Sequence, residues 1–308
     1  MERNEVYSDE LFEIVGCDAA ESEKLARPQT TYLKDAWRRL KANKLALAAM
    51  LMLLVIVIFT CFGPQMSGYS YSKISMDRNA APSAKHWFGT DQLGRDLFAR
   101  VWMGGRVSMI IGLVGAVITT LVGSIYGAIS AFAGGKVDNV MMRAVEIISS
   151  IPYLIVVILL SLMLDDSGIG SILLALCLVG WCQTARLVRG QILQLATSDY
   201  VTAARTLGVS NWKIITRHMI PNTLSVIIVN LTFRIPSYIF SEAFLSYVGL
   251  GIASPDTSWG MLAAAAKDTM MFYPYQMVFP AALIALTMLS FTLFGDGLRD
   301  ALDPKMRR

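Results

Sequence analysis

The sequence predicts an all-α, polytopic membrane protein with six transmembrane helices. Only 16% of its 308 residues are charged and 55% are apolar, whereas soluble domains carry about 25% charged residues. Long uncharged segments recur, and each is close to the roughly 20 residues that a helix needs to cross the hydrocarbon core of a bilayer. Lipid is therefore the expected solvent, and one helical membrane domain is the expected organisation.

The apolar segments give the positions of the six helices. The first is expected to stay in the membrane as an anchor, because the residues from Cys61 onwards lack the cleavage signal of a secretory leader. The fourth is the weakest, since Gln183 and Arg186 leave an apolar core of only about 17 residues. The predicted spans are 45–63, 107–133, 143–164, 169–188, 223–247 and 278–297.

The basic residues predict that both termini face the cytoplasm, because cytoplasmic loops of membrane proteins carry an excess of Lys and Arg. Seven of the 27 basic residues lie in the loops 64–106 and 248–277, and Arg234 lies inside a span. The other side of the membrane holds nineteen, in residues 1–44, 134–143, 186–222 and 298–308.

The spans divide the chain into five regions. The N-terminal tail begins with an acidic stretch, which is either a disordered tail or a docking segment, and continues from Tyr32 as a basic segment with Trp37 that is expected at the membrane interface. The regions are a cytoplasmic tail (1–44), the first transmembrane helix (45–63), an extracytoplasmic loop (64–106), a core domain with five transmembrane helices (107–297) and a cytoplasmic C-terminal tail (298–308).

Small residues recur every four positions along the second span and predict a helix face that another helix can approach closely. Gly115, Gly123 and Gly127 belong to this ridge, and the last two form a GxxxG element of the kind that packs helices in membranes. The ridge is expected either to pack within this chain or to form a seam with a second chain.

Arg234 is the main charge inside the predicted spans. It lies roughly 16 Å into the fifth span, where an unpaired charge is costly. Together with the kink expected at Pro236, and with Glu242 nearer the outer end, it suggests a helix that lines a polar pathway. Arg234 would then meet a substrate's carboxylate or shape the cavity. The alternative is a structural ion pair with Glu146 or Glu242.

The sequence argues against several classes of protein. A phosphate-binding loop, GxxxxGK followed by Ser or Thr, is absent, so the chain is not expected to be an enzyme that hydrolyses ATP. The two histidines, His86 and His218, form no HExxH pair, and there is no GxSxG elbow, so neither a metal site nor a serine hydrolase is expected. The four cysteines indicate no disulfide framework. Basic residues are not interleaved with aromatic ones, so nucleic acid is not an expected partner.

The loop 199–222 contains a helix–turn–helix pattern. Residues 200–207 read as a short helix with an alanine face, Gly208 is placed to end it, and Ser210 is placed to cap a second helix. Such a compact knob allows close docking against its alanine face, with Arg205 placed to contact an acidic partner surface.

This loop resembles the coupling loop of binding-protein-dependent ABC permeases. That family has an EAA triplet, a glycine four residues after the last alanine, and a later Ile/Leu-Pro pair. Thr202 stands where the family has its usual glutamate, which puts any contact made by that carboxylate in doubt. The matching positions are Thr202, Ala203, Ala204, Gly208, Ile220 and Pro221.

Further motifs narrow the resemblance to oligopeptide, dipeptide and nickel permeases, and it covers about residues 30–308. It implies the type I ABC importer permease fold and the shorter, "C"-type subunit. The motifs are 86–96, 104–108, 242–251, 255–260 and 295–304.

The resemblance also implies the partners and the function. A "B"-type permease, two ATP-binding subunits and an extracytoplasmic binding protein would complete an importer, with ATP and Mg bound by the ATPases and no cofactor on this chain. The chain would form half of a pathway for di- or oligopeptides in the cell membrane. Nickel or another small solute is the alternative cargo. An ion-coupled secondary transporter is the alternative of another class; it would predict intramembrane carboxylates and inverted repeats.

Overall fold

A computed structural model describes residues 32–164, 168–252 and 255–303. The predicted acidic tail and residues 304–308 of the predicted C-terminal tail lie outside the described residues. Within them, every regular element is a helix, apart from one isolated bridge between Thr90 and Asp96. The predicted all-α class is confirmed.

Eleven α-helices are numbered here in chain order, over the described ranges. A π-helical turn, Ile215–Met219, joins α8 to α9, and a 3-10 turn, Lys267–Thr269, follows α10. The helices are α1 (Tyr32–Ala42), α2 (Lys44–Met66), α3 (Leu97–Ala133), α4 (Gly135–Ser150), α5 (Tyr153–Met163), α6 (Ile169–Ala196), α7 (Asp199–Thr206), α8 (Asn211–Ile214), α9 (Ile220–Tyr247), α10 (Trp259–Ala266) and α11 (Tyr275–Leu302).

Five helices, α2, α3, α6, α9 and α11, are each long and apolar enough to cross a bilayer. They correspond to five of the six predicted spans. The weakest prediction, the fourth span, is a helix of 28 residues that continues well past Arg186. The sixth span is longer than predicted, so the predicted C-terminal tail from residue 298 begins inside α11.

The second span begins earlier than predicted, at Leu97 rather than at 107. Asp96 caps the helix, since its side chain accepts a hydrogen bond from the Ala99 amide at 2.9 Å. Arg100 is buried in this first turn and donates to the Tyr71 carbonyl at 3.2 Å. Residues 97–106 were predicted to belong to the extracytoplasmic loop. Their two arginines have partners on neighbouring segments, Arg100 on that loop and Arg106 at the Thr60 and Cys61 carbonyls of α2.

The third span is not the continuous helix 143–164 that the apolar run predicted. The structure has two helices, α4 and α5, bent by 80° at a break between them. Ile151 is extended, with φ −88° and ψ 135°, because the ring of the following proline disfavours helical backbone at the residue before it. Pro152 therefore divides this span into two pieces.

Helices α3 and α6 run parallel, which settles how often the chain crosses the membrane layer. Gly115 on α3 lies beside Cys177 on α6, with 3.9 Å between the carbonyl oxygen and the sulfur, and Gly127 further along α3 lies against Ala185 further along α6. Because the two helices point the same way, α4 and α5 together must carry the chain back across the layer. The bent pair therefore counts as one crossing, and the described helices make six.

The glycine ridge packs within this chain, which was one of the two predicted alternatives. A Cβ atom at Gly123 would lie 2.6 Å from the Trp181 carbonyl oxygen, and one at Gly127 would meet the Ala185 carbonyl. Gly115 faces the Tyr238 ring on α9, and the Tyr238 hydroxyl donates to Thr119 at 3.0 Å. Helix α3 is thus the centre of the bundle, with α6 and α9 against its small residues.

Helix directions define two ends of the bundle. We call them the Gly208 end, where α7 and the start of α9 lie, and the Trp259 end, where α3 begins beside α10. The Trp259 indole donates to the Val101 carbonyl at 2.8 Å. At the Gly208 end α1 packs on α2 and α11, where Leu40, Ala46 and Ala301 form a buried cluster. Trp37 of α1 is half exposed, and its position at the membrane interface stays a prediction.

The close approach of α3 and α6 predicts that Gly123→Ala lowers the thermal stability of the protein. The added methyl group would have to push apart two backbones, and such overpacking costs about 1–3 kcal/mol. Gly190→Ala on α6 is the matched control, because a Cβ there meets nothing within 4 Å. Thermal unfolding in detergent, followed by fluorescence size-exclusion, should give a lower Tm for Gly123→Ala only. Equal Tm values for both variants would contradict the packing described here.

Candidate functional site: an exposed knob and a membrane cavity

The predicted helix–turn–helix is present at the Gly208 end. Helix α7 begins after Ser198, whose carbonyl oxygen accepts hydrogen bonds from the amides of Val201 and Thr202 at 3.1 and 3.0 Å. It ends at Gly208, which has a φ of +75°. This left-handed conformation is open to glycine at little cost, and it turns the chain sharply into α8.

The second helix of the motif continues into the membrane without a loop. α8 starts directly after Ser210, whose carbonyl accepts from the Ile214 amide at 3.0 Å. The π-helical turn then leads into α9, which begins at Ile220 with Pro221 as its second residue. Pro221 has no amide hydrogen to donate back into the preceding turn. Everything from residue 211 to 247 is thus one helical rod.

An apolar cluster fixes this knob to the bundle. Val201 of α7 is fully buried, and burying a side chain of this size contributes about 1.5–3 kcal/mol. Ala204 packs against the same cluster from the edge. The buried members are Val188 and Ile192 of α6, Val201, and Ile214, Ile215 and Met219 of the segment that leads into α9.

The opposite face of the knob is exposed. Ala203 and Arg205 are exposed, and Leu207 is 82% exposed at the tip. Thr202 is exposed as well, but its hydroxyl donates to the Ser198 carbonyl at 3.2 Å, so it is directed along its own helix. Around Ala203 and Leu207 the outward face therefore presents small and apolar groups beside the Arg205 cation, and no carboxylate stands at the position of Thr202.

A second candidate site lies inside the bundle. Helices α5, α6, α9 and α11 enclose an open cavity of about 760 Å³. Pro152 lines it, so the bend between α4 and α5 forms part of its wall. Its charged and amide groups are Gln183, Arg186 and Arg234.

The structure places Arg234 on this cavity, and neither of its predicted carboxylate partners reaches it. Glu146 accepts a hydrogen bond from Arg143 at 2.8 Å, and Glu242 is enclosed elsewhere. Within the described chain no Asp or Glu lies within salt-bridge distance of Arg234. Of the two predicted roles, the structural ion pair with Glu146 or Glu242 is therefore not formed here.

Glu242 does not face the cavity, and its prediction as a pathway residue is corrected. It is fully buried, and three serine hydroxyls bind it: Ser108 at 2.9 Å, Ser246 at 2.8 Å and Ser258 at 2.5 Å. The Ser108 oxygen also accepts from the Trp259 amide, and the Ser258 oxygen accepts from the Met261 amide. Both serines are thus left to donate their protons to the carboxylate, which is how a buried acid is satisfied without a cation.

This cluster of Glu242 and three serines links α3, α9 and the start of α10. Sequence reasoning missed it because Ser108 lies 134 residues from Glu242 along the chain. The only signal was that Ser108 and Ser258 each fall within a motif, 104–108 and 255–260, that carries the family resemblance.

Comparisons with known proteins agree with the architecture. Residues 119–308 match the family described as "Binding-protein-dependent transport system inner membrane component". Residues 31–82 match the family described as "N-terminal TM domain of oligopeptide transport permease C".

Curated relatives align over nearly the full chain. The dipeptide transport system permease protein DppC of Bacillus subtilis is 44% identical, with 100% of this chain and 96% of that protein covered. The oligopeptide transport system permease protein OppC of the same organism is 42% identical, covering 97% and 98%. OppC of Escherichia coli is 41% identical, covering 93% and 95%.

A solved structure of the MetNI methionine ABC transporter in inward facing conformations shares the fold. The TM-score is 0.55 at 18% identity, and the match covers 67% of this chain and 96% of that chain. At this identity the likeness concerns the arrangement of helices only.

The serine cluster predicts that Glu242→Gln destabilises the protein. The amide NH2 group cannot accept from the serine hydroxyls, and a buried polar group left unsatisfied costs about 1–3 kcal/mol. Glu146→Gln is the control, because its ion pair with Arg143 is solvent-exposed and worth about 0–1 kcal/mol. We expect a lower Tm in detergent for Glu242→Gln alone. An unchanged Tm would mean that the carboxylate does not hold these helices together.

Proposed function

Because the chain belongs to the family of binding-protein-dependent transport system inner membrane components, we propose that it is one permease subunit of an ATP-driven peptide importer. Its relatives are named as dipeptide and oligopeptide transport permeases, and they support peptide as the cargo over nickel or another small solute. Family membership also favours this class over an ion-coupled secondary transporter. A second, "B"-type permease, two ATP-binding subunits and an extracytoplasmic binding protein are the proposed partners.

The proposed orientation places the Gly208 end in the cytoplasm and the Trp259 end outside. The excess of Lys and Arg in the tails and in the 186–222 loop supports it. The loops between α2 and α3 and between α9 and α11 then face the binding protein. The chain is a multi-pass protein of the cell membrane, so lipid surrounds the exposed apolar faces of α2 and α5.

The knob formed by α7, Gly208 and α8 is the proposed contact with an ATPase subunit. One observation carries this proposal: the exposed face of the knob is joined through the buried Val201 cluster and an unbroken helical rod to α9, which bears Arg234. A displacement of the knob is therefore passed directly to the helix that lines the cavity. ATP and Mg bind the partner ATPases, whose closure would move the knobs together and turn the cavity outward, and hydrolysis would reset it.

The chemistry of the knob indicates how the contact is made. Thr202 has no carboxylate, so the proposed contact with the ATPase subunit is made by close packing of Ala203 and Leu207. Arg205 is exposed and would meet an acidic surface of that subunit. Ala204 and Ile220 pack against the Val201 cluster and so hold the knob and the start of α9 in place, and Pro221 is exposed beside them.

The first prediction of this proposal is that Gly208→Asp abolishes transport and loosens the ATPase while membrane insertion is retained. The variant adds a charge and a strained backbone to the docking face. Gly249→Asp is the matched control, because Gly249 also has a positive φ, +89°, and open space around a Cβ, but lies at the opposite end. Co-purification of the ATPase with each variant is the measurement. Normal ATPase recovery with Gly208→Asp would refute the coupling assignment.

The second prediction concerns orientation. In a variant without the four native cysteines, expressed without the proposed ATPase subunits so that the knob stays uncovered, Leu207→Cys should react with a membrane-impermeant maleimide only in inverted vesicles. Met271→Cys, at the Trp259 end and 87% exposed, should react only in intact spheroplasts. Both side chains are highly exposed, so a difference in labelling reports the side of the membrane. The reverse pattern would overturn the proposed orientation.

A further inference from the structure

We propose that Arg234 and Arg186 form an anion site in the cavity that receives a carboxylate of the peptide during its passage. This inference rests on the proposed function, and it adds the chemical group by which the pathway holds its cargo. The C-terminal carboxylate is the group that linear peptides share whatever their side chains, so a site for it suits a permease that accepts many sequences.

The charge of the cavity is the first argument. Two guanidinium groups line it, and among its described lining residues there is no Asp or Glu. Guanidinium binds carboxylate through two parallel N–H···O bonds, and this interaction strengthens where water is scarce. A cavity with two such cations and no balancing carboxylate attracts an anion from elsewhere.

The depth of Arg234 is the second argument. It lies near the middle of the 28-residue helix α9, roughly 20 Å from either end at 1.5 Å per residue. A charged side chain at this depth is costly and is found facing a partner, water or a transported ion. Arg234 faces the cavity and is only partly buried, so its head group is accessible to a solute.

The third argument comes from the other charged side chains inside the bundle, which have hydrogen-bond or ion-pair partners within the chain. Asp138 of α4 accepts from Arg189 of α6 through both oxygens, at 2.6 and 2.5 Å, and Glu242 has its three serines. Arg106 of α3 donates to two carbonyl groups of α2. These structural charges are satisfied within the chain by carboxylates, hydroxyls or carbonyl groups, whereas no ion pair to Arg186 or Arg234 is found among the described residues.

The remaining lining suits a peptide backbone. Ser237 of α9 donates its proton to the Phe233 carbonyl of its own helix at 3.0 Å, which leaves its oxygen free to accept from a peptide N–H group. Phe233 and Phe240 give apolar surface that selects no particular side chain. The cavity thus offers one strong contact, to a carboxylate, that does not depend on the peptide sequence. Its other contacts are weak, so the peptide can leave the cavity again.

The test uses the complete complex in proteoliposomes, with ATP inside and binding protein outside. Three tripeptides are compared: trialanine, its C-terminal amide, and the amide of Ala-Asp-Ala. Each is supplied at a concentration that saturates the binding protein, determined separately, so that transport turnover reports the permease. The variants are Arg234→Gln, Arg234→Lys, Arg186→Gln and, as control, Arg143→Gln, whose side chain is exposed and pairs with Glu146.

We expect Arg234→Gln to slow transport of trialanine about tenfold, the effect of losing roughly 1.4 kcal/mol, and to leave the trialanine amide unchanged. Arg234→Lys should slow trialanine transport less than Arg234→Gln does, because it keeps the positive charge. Arg186→Gln should also slow trialanine transport, but by a smaller factor. Arg143→Gln should change the transport of neither trialanine nor its amide. If Arg234→Gln also slows transport of the Ala-Asp-Ala amide, the site binds any carboxylate of the peptide. If transport of that amide is unchanged, the site binds the terminal carboxylate alone.

Equal losses of the free acid and the amide in Arg234→Gln would overturn the inference, as would no loss for either. If Arg234→Gln fails to assemble, the same comparison with Arg186→Gln decides, since that side chain is exposed. Absence of ATP-dependent uptake of every peptide by the unmodified complex would instead contradict the proposed function, so the two failures are distinct.

Discussion

The close parallel contact of α3 and α6 is the constraint on which the rest of the architecture depends. In lipid no hydrophobic force drives helices together, so van der Waals contact at small residues holds them, and Gly123 and Gly127 allow the two backbones to touch. A parallel pair requires a return crossing between its members, and α4 and α5 supply it. The bend at Pro152 in that crossing forms a wall of the cavity. One wall of the cavity therefore belongs to the crossing that the parallel pair requires.

Two buried carboxylates, one towards each end of the bundle, have their hydrogen-bond partners within the chain, whereas Arg234 in the middle has no carboxylate partner among the described residues. At the Gly208 end Asp138 binds Arg189 through both oxygens and also accepts from the Ser130 hydroxyl. Towards the Trp259 end Glu242 is held by its serines. Because lipid offers no hydrogen bonds, unsatisfied groups persist only where they line a cavity. Arg234, in the middle of α9, lines such a cavity.

The sequence predicted the features that depend on a single segment. It did not predict the features that depend on contacts between two distant segments. Apolar length located the spans, and Gly208 located the turn of the knob. Pro152, Pro236 and Pro280 each fall within a predicted span, yet of these three only Pro152 interrupts its span, because the other two lie inside continuous helices. The early start of α3 had a local signal in its cap, Asp96, whereas the burial of Arg100 against Tyr71 and the enclosure of Glu242 depend on contacts with residues far along the chain. No local pattern records them.

Helix α9 connects the features that the sequence presented separately. Its first residue follows the π-helical turn of the knob, its middle carries Arg234, and Glu242 near its far end is bound to α3 and to the start of α10. A π-helical turn often marks a functional position, and this one lies between the knob and α9. Beyond that turn the helix is continuous. Under the proposed function, a push on the knob would therefore move Arg234 and the serine cluster together, and the cargo site and the outer end of the pathway would change in one step.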